Sequence, residues 1–312
     1  MTRDGKSFAV LASLMCVALA GTAVCVLGVP LGPVSPYLDL LAQFAPQAAI
    51  GAALIGVLYA VMRLRVMSVL ALATAVFGIV AVSPHEEITA CGPGESAHRI
   101  VFLNLWNGNS QIDQTMAYLS TLNADAIVLV EMRPRFKLAL NTLVNDFRYQ
   151  SACPHACTAL MLSRAPMTEI SDQLARPGGP RSLAAAQIPF SDGTLTLVGV
   201  HLYRPWPFNP PVLQDTEARV LGTAVAGLGE PRMVLGDFNA VPWGAIVKGV
   251  AREGALTPLI GGGTWRTNLP ALFRLPIDQA LVGNGLACAT KRVGRRVGSD
   301  HRPVIVDFAF SR

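Results

Sequence analysis

The sequence predicts a membrane-anchored α/β (α+β) chain: three apolar helices at its amino-terminal end, then one domain of mixed sheets covered by helices. Three observations carry that prediction. Only 14% of the 312 residues are charged and 52% are hydrophobic, whereas about 25% are charged in an ordinary soluble domain. The deficit is localised, because Phe8 to Leu38, Leu40 to Met62 and Val66 to Ser83 contain no charged residue. Beyond them, apolar β-rich runs alternate with helix-like segments, and several runs follow one another with no helix between, which favours mixed sheets over a uniform parallel one.

Each uncharged run approaches the ~20 residues that cross a bilayer core, so residues 1–84 are expected to form an anchor of three transmembrane helices, the third the shortest. The first run follows Arg3 and Lys6, exceeds the apolar part of a cleaved leader and precedes two further spans, which makes it an uncleaved anchor. Arg63 and Arg65 link the second and third spans, whereas the link GPVSPYLD has no Lys or Arg. Positive-inside logic puts the amino terminus and the Arg63 link in the cytoplasm and everything after Ser83 outside. The spans hold no charged residue, which argues against a transporter. Gln43, Gln47 and small residues are expected to pack the helices together.

Cys16 and Cys25 fall in the first span, and Cys91, Cys153, Cys157 and Cys288 follow the spans. An even number outside the membrane, two of them in the compact CPHAC at 153–157, suits disulfides in an oxidising compartment. The pairs expected are Cys153 with Cys157 and Cys91 with Cys288. Zinc on Cys153, His155 and Cys157 is the alternative, but it offers three ligands and no obvious fourth.

A polar linker, residues 85–97, leads into residues 98–312, enough for one large domain. Beyond position 84 there are 21 basic and 18 acidic residues, so a strongly basic nucleic-acid footprint is not evident. RIVFLNLW, ADAIVLVEM, TALMLSR, LAAAQIPF, TLTLVGVHL, RMVLGDFN, IDQALVG and HRPVIVDFAF are expected strands. Ile112 to Leu122, Phe136 to Asn145, Pro211 to Leu228 and Gly244 to Arg252 are expected helices.

VLGDFNAVPWG alone reads as a turn, because Asp and Asn bond nearby backbone. The other strands end in the same manner. RIVFLN ends on Asn104, AIVLVE on Glu131 and LVGVH on His201; MVLGDFN delivers Asp237 and Asn239, LPID delivers Asp278, and VGSDH delivers Asp300 and His301. One polar residue at a strand end is usually a satisfied cap; a set this large points to the hydrolysis of a phosphate ester.

The ordered blocks LNLW, VLVEMRP, VGVHL, VLGDFNAVP, PIDQALV and GSDHRPV resemble the endonuclease/exonuclease/phosphatase (DNase I-like) superfamily over roughly residues 98 to 310. The resemblance implies a four-layer α/β sandwich with two packed mixed sheets and a site at their shared rim. The membrane-anchored layout resembles bacterial members, which implies the inner (cytoplasmic) membrane with the domain periplasmic. It also implies Mg²⁺, or Mn²⁺, held by hard oxygen ligands: Glu131 with Asn104 beside it, and Asp300 as a further ligand or behind one. His301 would take a proton from water, oriented by Asp278. Asp237 would align the water, Asn239 would donate its amide to a phosphate oxygen, and His201 would stabilise growing charge. Gln279 stands where many relatives have His; alternation points it away from the Asp278 side. The carboxylate that relatives often pair with the strand-end His has no evident counterpart.

The remaining polar residues carry weaker expectations. His85, His98 and His155 are expected to be solvated. Lys291, Arg292, Arg295 and Arg296 are expected to form a basic loop, either solvated or facing phosphate. Arg133, Arg135, Tyr203, Arg204 and Trp206 would border a groove suited to a stacked base or a lipid headgroup. The expected function is a membrane-anchored, Mg-dependent phosphodiesterase acting by direct attack of water on a phosphate ester in nucleic acid or phospholipid. The alternative is a noncatalytic envelope module that keeps the fold.

Overall fold

The computed structural model describes residues 3–83, 88–151, 158–205, 207 and 209–311. They divide into two units: Met1–Pro84 with Trp243–Ala245, and His85–Pro242 with Ile246–Arg312.

The first unit is helical, with α1 (Arg3–Leu31), α2 (Pro36–Ala42), α3 (Ala45–Val61) and α4 (Arg65–Val82). Two spans, Phe8–Val34 and Arg65–Val82, are long and apolar enough to cross a membrane, and α2 with α3 makes a third if that pair is one span bent by 62°. The expected run from Leu40 to Met62 is therefore broken. Pro46, in the first turn of α3, has no N–H to extend a preceding helix, so the helix restarts there. Small side chains let the backbones approach: a Cβ on Gly78 would lie 2.8 Å from that of Ala49 and 2.9 Å from Val26 Cγ2. The Ser68 hydroxyl donates to Gly56 O at 2.8 Å, and Tyr59 Oη donates to Cys16 Sγ at 3.2 Å. Leu14, Val17, Leu54, Val61, Val66 and Val76 face outward.

The second unit contains strands β1 (His98–Asn104), β2 (Ala126–Val130), β3 (Tyr149–Gln150), β4 (Ala159–Ser163), β5 (Thr168–Glu169) and β6 (Ser182–Pro189). β7 (Thr194–His201), β8 (Arg232–Asp237), β9 (Thr257–Pro258), β10 (Asp278–Val282), β11 (Leu286–Val293) and β12 (Val304–Phe310) follow. One sheet runs β11-β12-β1-β2-β4-β3 and the other β5-β6-β7-β8-β10-β9. The pairs β1–β2 and β7–β8 are parallel and the rest antiparallel, so both sheets are mixed.

Alternation along the strands builds the layers. Ile100, Phe102, Val128 and Val130 of the first sheet join Leu195, Leu197, Leu235 and Ala280 of the second in one core between the sheets. The opposite faces, Val101, Leu103, Ile127 and Leu129, pack on Met116 and Leu119 of α5 (Ile112–Ser120). Val198, Val234 and Leu281 pack on helices Pro211–Ala226 and Ala245–Glu253. Helix, sheet, sheet and helix are the four layers. Gly199 is required by the close approach of the sheets, since a Cβ there would lie 2.3 Å from Val128 Cγ1.

Three expectations change. Leu286–Val293 is a strand, so Lys291 and Arg292 leave the expected basic loop: Lys291 is buried and Arg292 pairs with Asp307. Residues 136–145 bury Phe136, Ala139, Leu140 and Leu143 at helical spacing, yet most of their bonds reach back only three residues, as from Asn141 to Leu138. Helical periodicity thus holds the burial without a continuous α-helix. His98 is not solvated; its ring is packed among Phe190, Phe308 and Phe310 and pairs with Asp192 at 2.5 Å. Cys91 and Cys288 form a disulfide that ties the segment before β1 to β11. Cys153, Cys157, His155, His85 and Trp206 lie outside the described residues.

Candidate active site

The alternation that fills the core between the sheets also places the site. Counting by twos from core residues, Phe102 leads to Asn104, Leu235 to Asp237 and Ala280 to Asp278, and Leu197 leads through Gly199 to His201. These four polar residues continue the inner face where the apolar filling stops. Register sets them side by side, with His201 and Asp278 both opposite Asp237. His301 is brought in from the loop before β12 by a bridge to Trp265.

Asp237 is the hub. Its Oδ2 lies 3.6 Å from Nε2 of both His201 and His301, and accepts from Asn104 Nδ2 at 2.9 Å. Behind His301, Nδ1 lies 2.9 Å from Asp278 Oδ2, and Asp278 is fully buried. Burial is the largest influence on Asp237 and pushes its carboxyl above the usual range; His301 opposes the shift and Asp278 adds to it. Burial disfavours the imidazolium of His301, but Asp278 and Asp237 overcome that and carry it up to about 10.

Glu131 joins through Asn104, whose Nδ2 donates to Glu131 Oε1 at 3.2 Å, and through the Asn107 N–H on Oε2 at 2.9 Å. Glu131, Trp106 and Asn239 hold positive φ of 55°, 58° and 48°. That conformation costs a non-glycine residue on the order of 1 kcal/mol, and it clusters here around the carboxylates. Asn239 is fastened by its N–H to Asp237 Oδ1 at 2.8 Å and by Nδ2 to Leu202 O at 3.1 Å. Asp300 Oδ2 accepts from Trp265 Nε1 at 3.0 Å, while Oδ1 is buried with no hydrogen-bond partner among the described residues.

The donor set suits a divalent cation. Asp237, Asp278 and His301 offer ligand atoms within 4.8 Å of one another, but Asp278 and His301 spend their facing atoms on each other. The buried, unsatisfied Asp300 Oδ1 and the Glu131 carboxylate are the oxygens with coordination to spare, as a hard cation requires. Asn104 turns its nitrogen to the carboxylates and its oxygen to the Trp106 N–H, so ligation through that oxygen requires the amide to turn over.

Several supporting residues escaped the sequence reading. Gln214 donates to Phe238 O at 2.7 Å and Asn239 O at 3.0 Å, holding the loop that carries Asp237 and Asn239. Three residues on, Glu217 accepts the Tyr203 N–H at 2.7 Å, and burial raises its carboxyl to about 7. Lys291 Nζ donates to Asp278 O at 2.7 Å, and burial lowers it to about 8. Ser299 Oγ donates to Asn104 O at 2.7 Å. The i, i+3 spacing of Gln214 and Glu217 was the available signal; for the others, register was needed. Gln279 sits on the outer face, as alternation requires, and its amide donates to Ala240 O and Pro276 O. The carboxylate that His201 meets is Asp237 itself.

The rim is more polarised than the total charge implies. The loops at this pole, residues 105–111, 131–137, 175–181, 202–205, 238–242, 259–277 and 294–303, carry eleven Lys and Arg against two carboxylates, Glu131 and Asp300. Arg133, Arg135, Arg295 and Arg296 are exposed among them, and Arg204 lies over the Trp265 ring at 5.8 Å. Tyr203 lines a cleft of about 600 Å³ with Arg176, Arg181 and Glu217. Such a field attracts anionic substrates.

Comparison with known proteins agrees with this fold. The chain resembles magnesium-bound beta toxin from Staphylococcus aureus, with 11% identity and a TM-score of 0.56, covering 69% of this chain and 99% of that one. Sphingomyelinase C from Streptomyces griseocarneus aligns with 13% identity and a TM-score of 0.52 over 68% and 99% of the two chains. A humanized D. rerio TDP2 aligns with 18% identity and a TM-score of 0.52 over 68% and 98%. These likenesses are of fold. No curated protein matches the chain. The Endonuclease/Exonuclease/phosphatase family model matches residues 101–301, and the chain belongs to that family.

Proposed function

We propose that the chain is a membrane-anchored, metal-dependent phosphodiesterase in which water attacks phosphorus directly. The observation that carries this reading is Asp237 standing 3.6 Å from both His201 and His301, with Asp278 behind the latter. Burying two carboxylates and an imidazole is costly, and a module that only binds has no use for them in that order.

A magnesium ion held by Glu131 and Asp300, with Asn104 beside it, would supply a Lewis acid to a phosphoryl oxygen and the leaving oxygen. The protein's own groups do the rest. The water's proton passes to the buried Asp237–His301 pair, and Asp278 fixes the His301 ring. His201 faces the phosphate oxygens, where negative charge grows, and Asn239 sets a phosphate oxygen in line. The Cys91–Cys288 bridge and the Arg63 and Arg65 link support an orientation with the domain outside the cytoplasm, at the inner membrane in the bacterial layout.

Purified full-length protein should hydrolyse bis(p-nitrophenyl) phosphate with Mg²⁺ or Mn²⁺ and lose that activity with EDTA. His301→Ala and Asp237→Ala should each reduce kcat by roughly 10²–10⁴; undiminished EDTA-sensitive hydrolysis in either variant contradicts the assignment. A periplasm-active reporter on the carboxyl terminus tests orientation, and activity only from a cytoplasmic reporter reverses it.

A further inference from the structure

One stretch of the domain surface does not behave like the rest. Asn268 to Phe273 are six consecutive exposed residues, and the last five are apolar: Leu269, Pro270, Ala271, Leu272 and Phe273. Leu269 is 38%, Leu272 54% and Phe273 52% exposed. An exposed apolar run of that length is a fault in a soluble surface unless something uses it. The segment is also built. Leu269 N–H bonds Arg266 O, Phe273 N–H bonds Pro270 O, and Arg274 Nε bonds Leu269 O at 2.8 Å. Part of its backbone polarity is therefore spent internally while its side chains are exposed.

Position and charge identify what it meets. The root of the segment is laced to the site: Trp265 Nε1 to Asp300, Thr267 N–H to Asp300 O, and Arg302 N–H to Thr264 O. Residues 259–277 include Arg266 and Arg274 and no carboxylate. Apolar side chains flanked by Arg266 and Arg274 match the boundary between anionic headgroups and acyl chains. A nucleic acid would use the arginines, but Leu269 and Leu272 offer nothing to a phosphodiester backbone or a base face. We propose that the Asn268–Phe273 turn inserts into the anionic leaflet of the bilayer that hosts the chain, and that the site acts on a phosphate ester presented at that lipid surface. The substrate half of the proposal rests on the phosphodiesterase reading above; the docking half rests only on the membrane anchor in that reading. The host bilayer is favoured because tethering makes the second contact intramolecular, at high effective concentration.

The test uses full-length protein in nanodiscs of phosphatidylcholine alone or with phosphatidylglycerol. Amide exchange across residues 266–275 should slow in the anionic discs, and the Leu269→Ser, Leu272→Ser, Phe273→Ser triple variant should lose that protection. Arg266→Gln should weaken the dependence on phosphatidylglycerol. The triple variant should lose disc-lipid hydrolysis by roughly tenfold more than it loses hydrolysis of bis(p-nitrophenyl) phosphate. Equal exchange in both discs, with wild-type-like lipid turnover by the triple variant, overturns the proposal. Protection caused by an added single-stranded oligonucleotide, or only by separate anionic vesicles, also overturns it, in favour of nucleic acid or another bilayer. If no phosphate ester is hydrolysed at all, the catalytic reading fails while exchange still decides the docking.

Discussion

The two units solve opposite packing problems. In the helical unit the large apolar side chains, such as Leu14, Val17 and Val66, face out, while Ala49, Ala52, Ala71 and Gly78 meet inside. In the sandwich Phe102, Phe238 and Phe308 are fully buried and polar groups collect at one rim. The difference is the one expected if the helical unit sits in lipid, as proposed above, and the sandwich in water. Lipid gives no hydrophobic reward for burying Leu, so close backbone approach decides helix packing; water rewards burial at about 25 cal/mol per Å². Asn268–Phe273 is where the sandwich surface adopts the composition of the helical unit, which is why it stands out.

The largest expected effect separates function from packing within the sandwich. Asp278 and Gln279 are neighbours on opposite faces of β10, both buried. Asp278→Asn should reduce kcat by about 10³–10⁴, as loss of an imidazole-orienting carboxylate does elsewhere, with little change in Tm. Gln279→Leu leaves the inner face untouched and removes bonds to Ala240 O and Pro276 O, so it should cost about 1–3 kcal/mol of stability instead. Equal kinetic damage from both would mean that the faces are not functionally distinct.

The next prediction sharpens the contrast between the units. Gly199→Ala forces a Cβ to 2.3 Å from Val128 in a core closed on both sides; it should lower sandwich stability by about 1–3 kcal/mol or more. Gly78→Ala meets Ala49 and Val26 at 2.8 and 2.9 Å, between helices that can separate slightly in lipid, and should cost less. Differential scanning calorimetry of the two variants, in the same lipid, checks the order; a larger loss from Gly78→Ala would break the comparison. A smaller kinetic effect is expected of Gln214→Leu, which frees the loop carrying Asp237 and Asn239: kcat should fall by roughly 10-fold or more, because loosened positioning costs less than a lost group.

Much of this was legible in the sequence, for a physical reason. Strand ends are where period-2 alternation meets solvent, so Asn104, His201 and Asp237 show by closing apolar runs and Asp278 by opening one. The eight principal strands showed because their cores are apolar on both faces. β11 did not, since LACATKRV mixes exposed and buried positions at a sheet edge, and Lys291 was consequently assigned to a loop. The break between α2 and α3 hid in an uncharged run, where hydropathy has no resolution. The basic rim was invisible to a charge total, because acidic residues elsewhere cancel it and only topology sorts loops by pole. Gln214 and Glu217 sat on an ordinary amphipathic helix, and nothing in the pattern said which strand-end loops that face would meet.

The smallest effect concerns Glu217, which is 3% exposed and carries a carboxyl raised from 4.5 to about 7 by burial, against the Tyr203 and Arg181 N–H groups. A carboxyl raised on folding binds more protons in the native than in the unfolded state between those values, so stability falls as pH rises through that window. The protonated contribution is complete below about 4.5 and lost as pH passes about 7. Glu217→Gln keeps an acceptor for Tyr203 N–H and abolishes the titration. The variant should therefore match wild type near pH 4.5 and exceed its stability by about 1–3 kcal/mol near pH 8, read from paired thermal or urea melts across the range. A constant difference at all pH values would show that Glu217 does not titrate there, and a variant less stable at pH 8 would show that the ionised carboxylate is what holds the Tyr203 backbone.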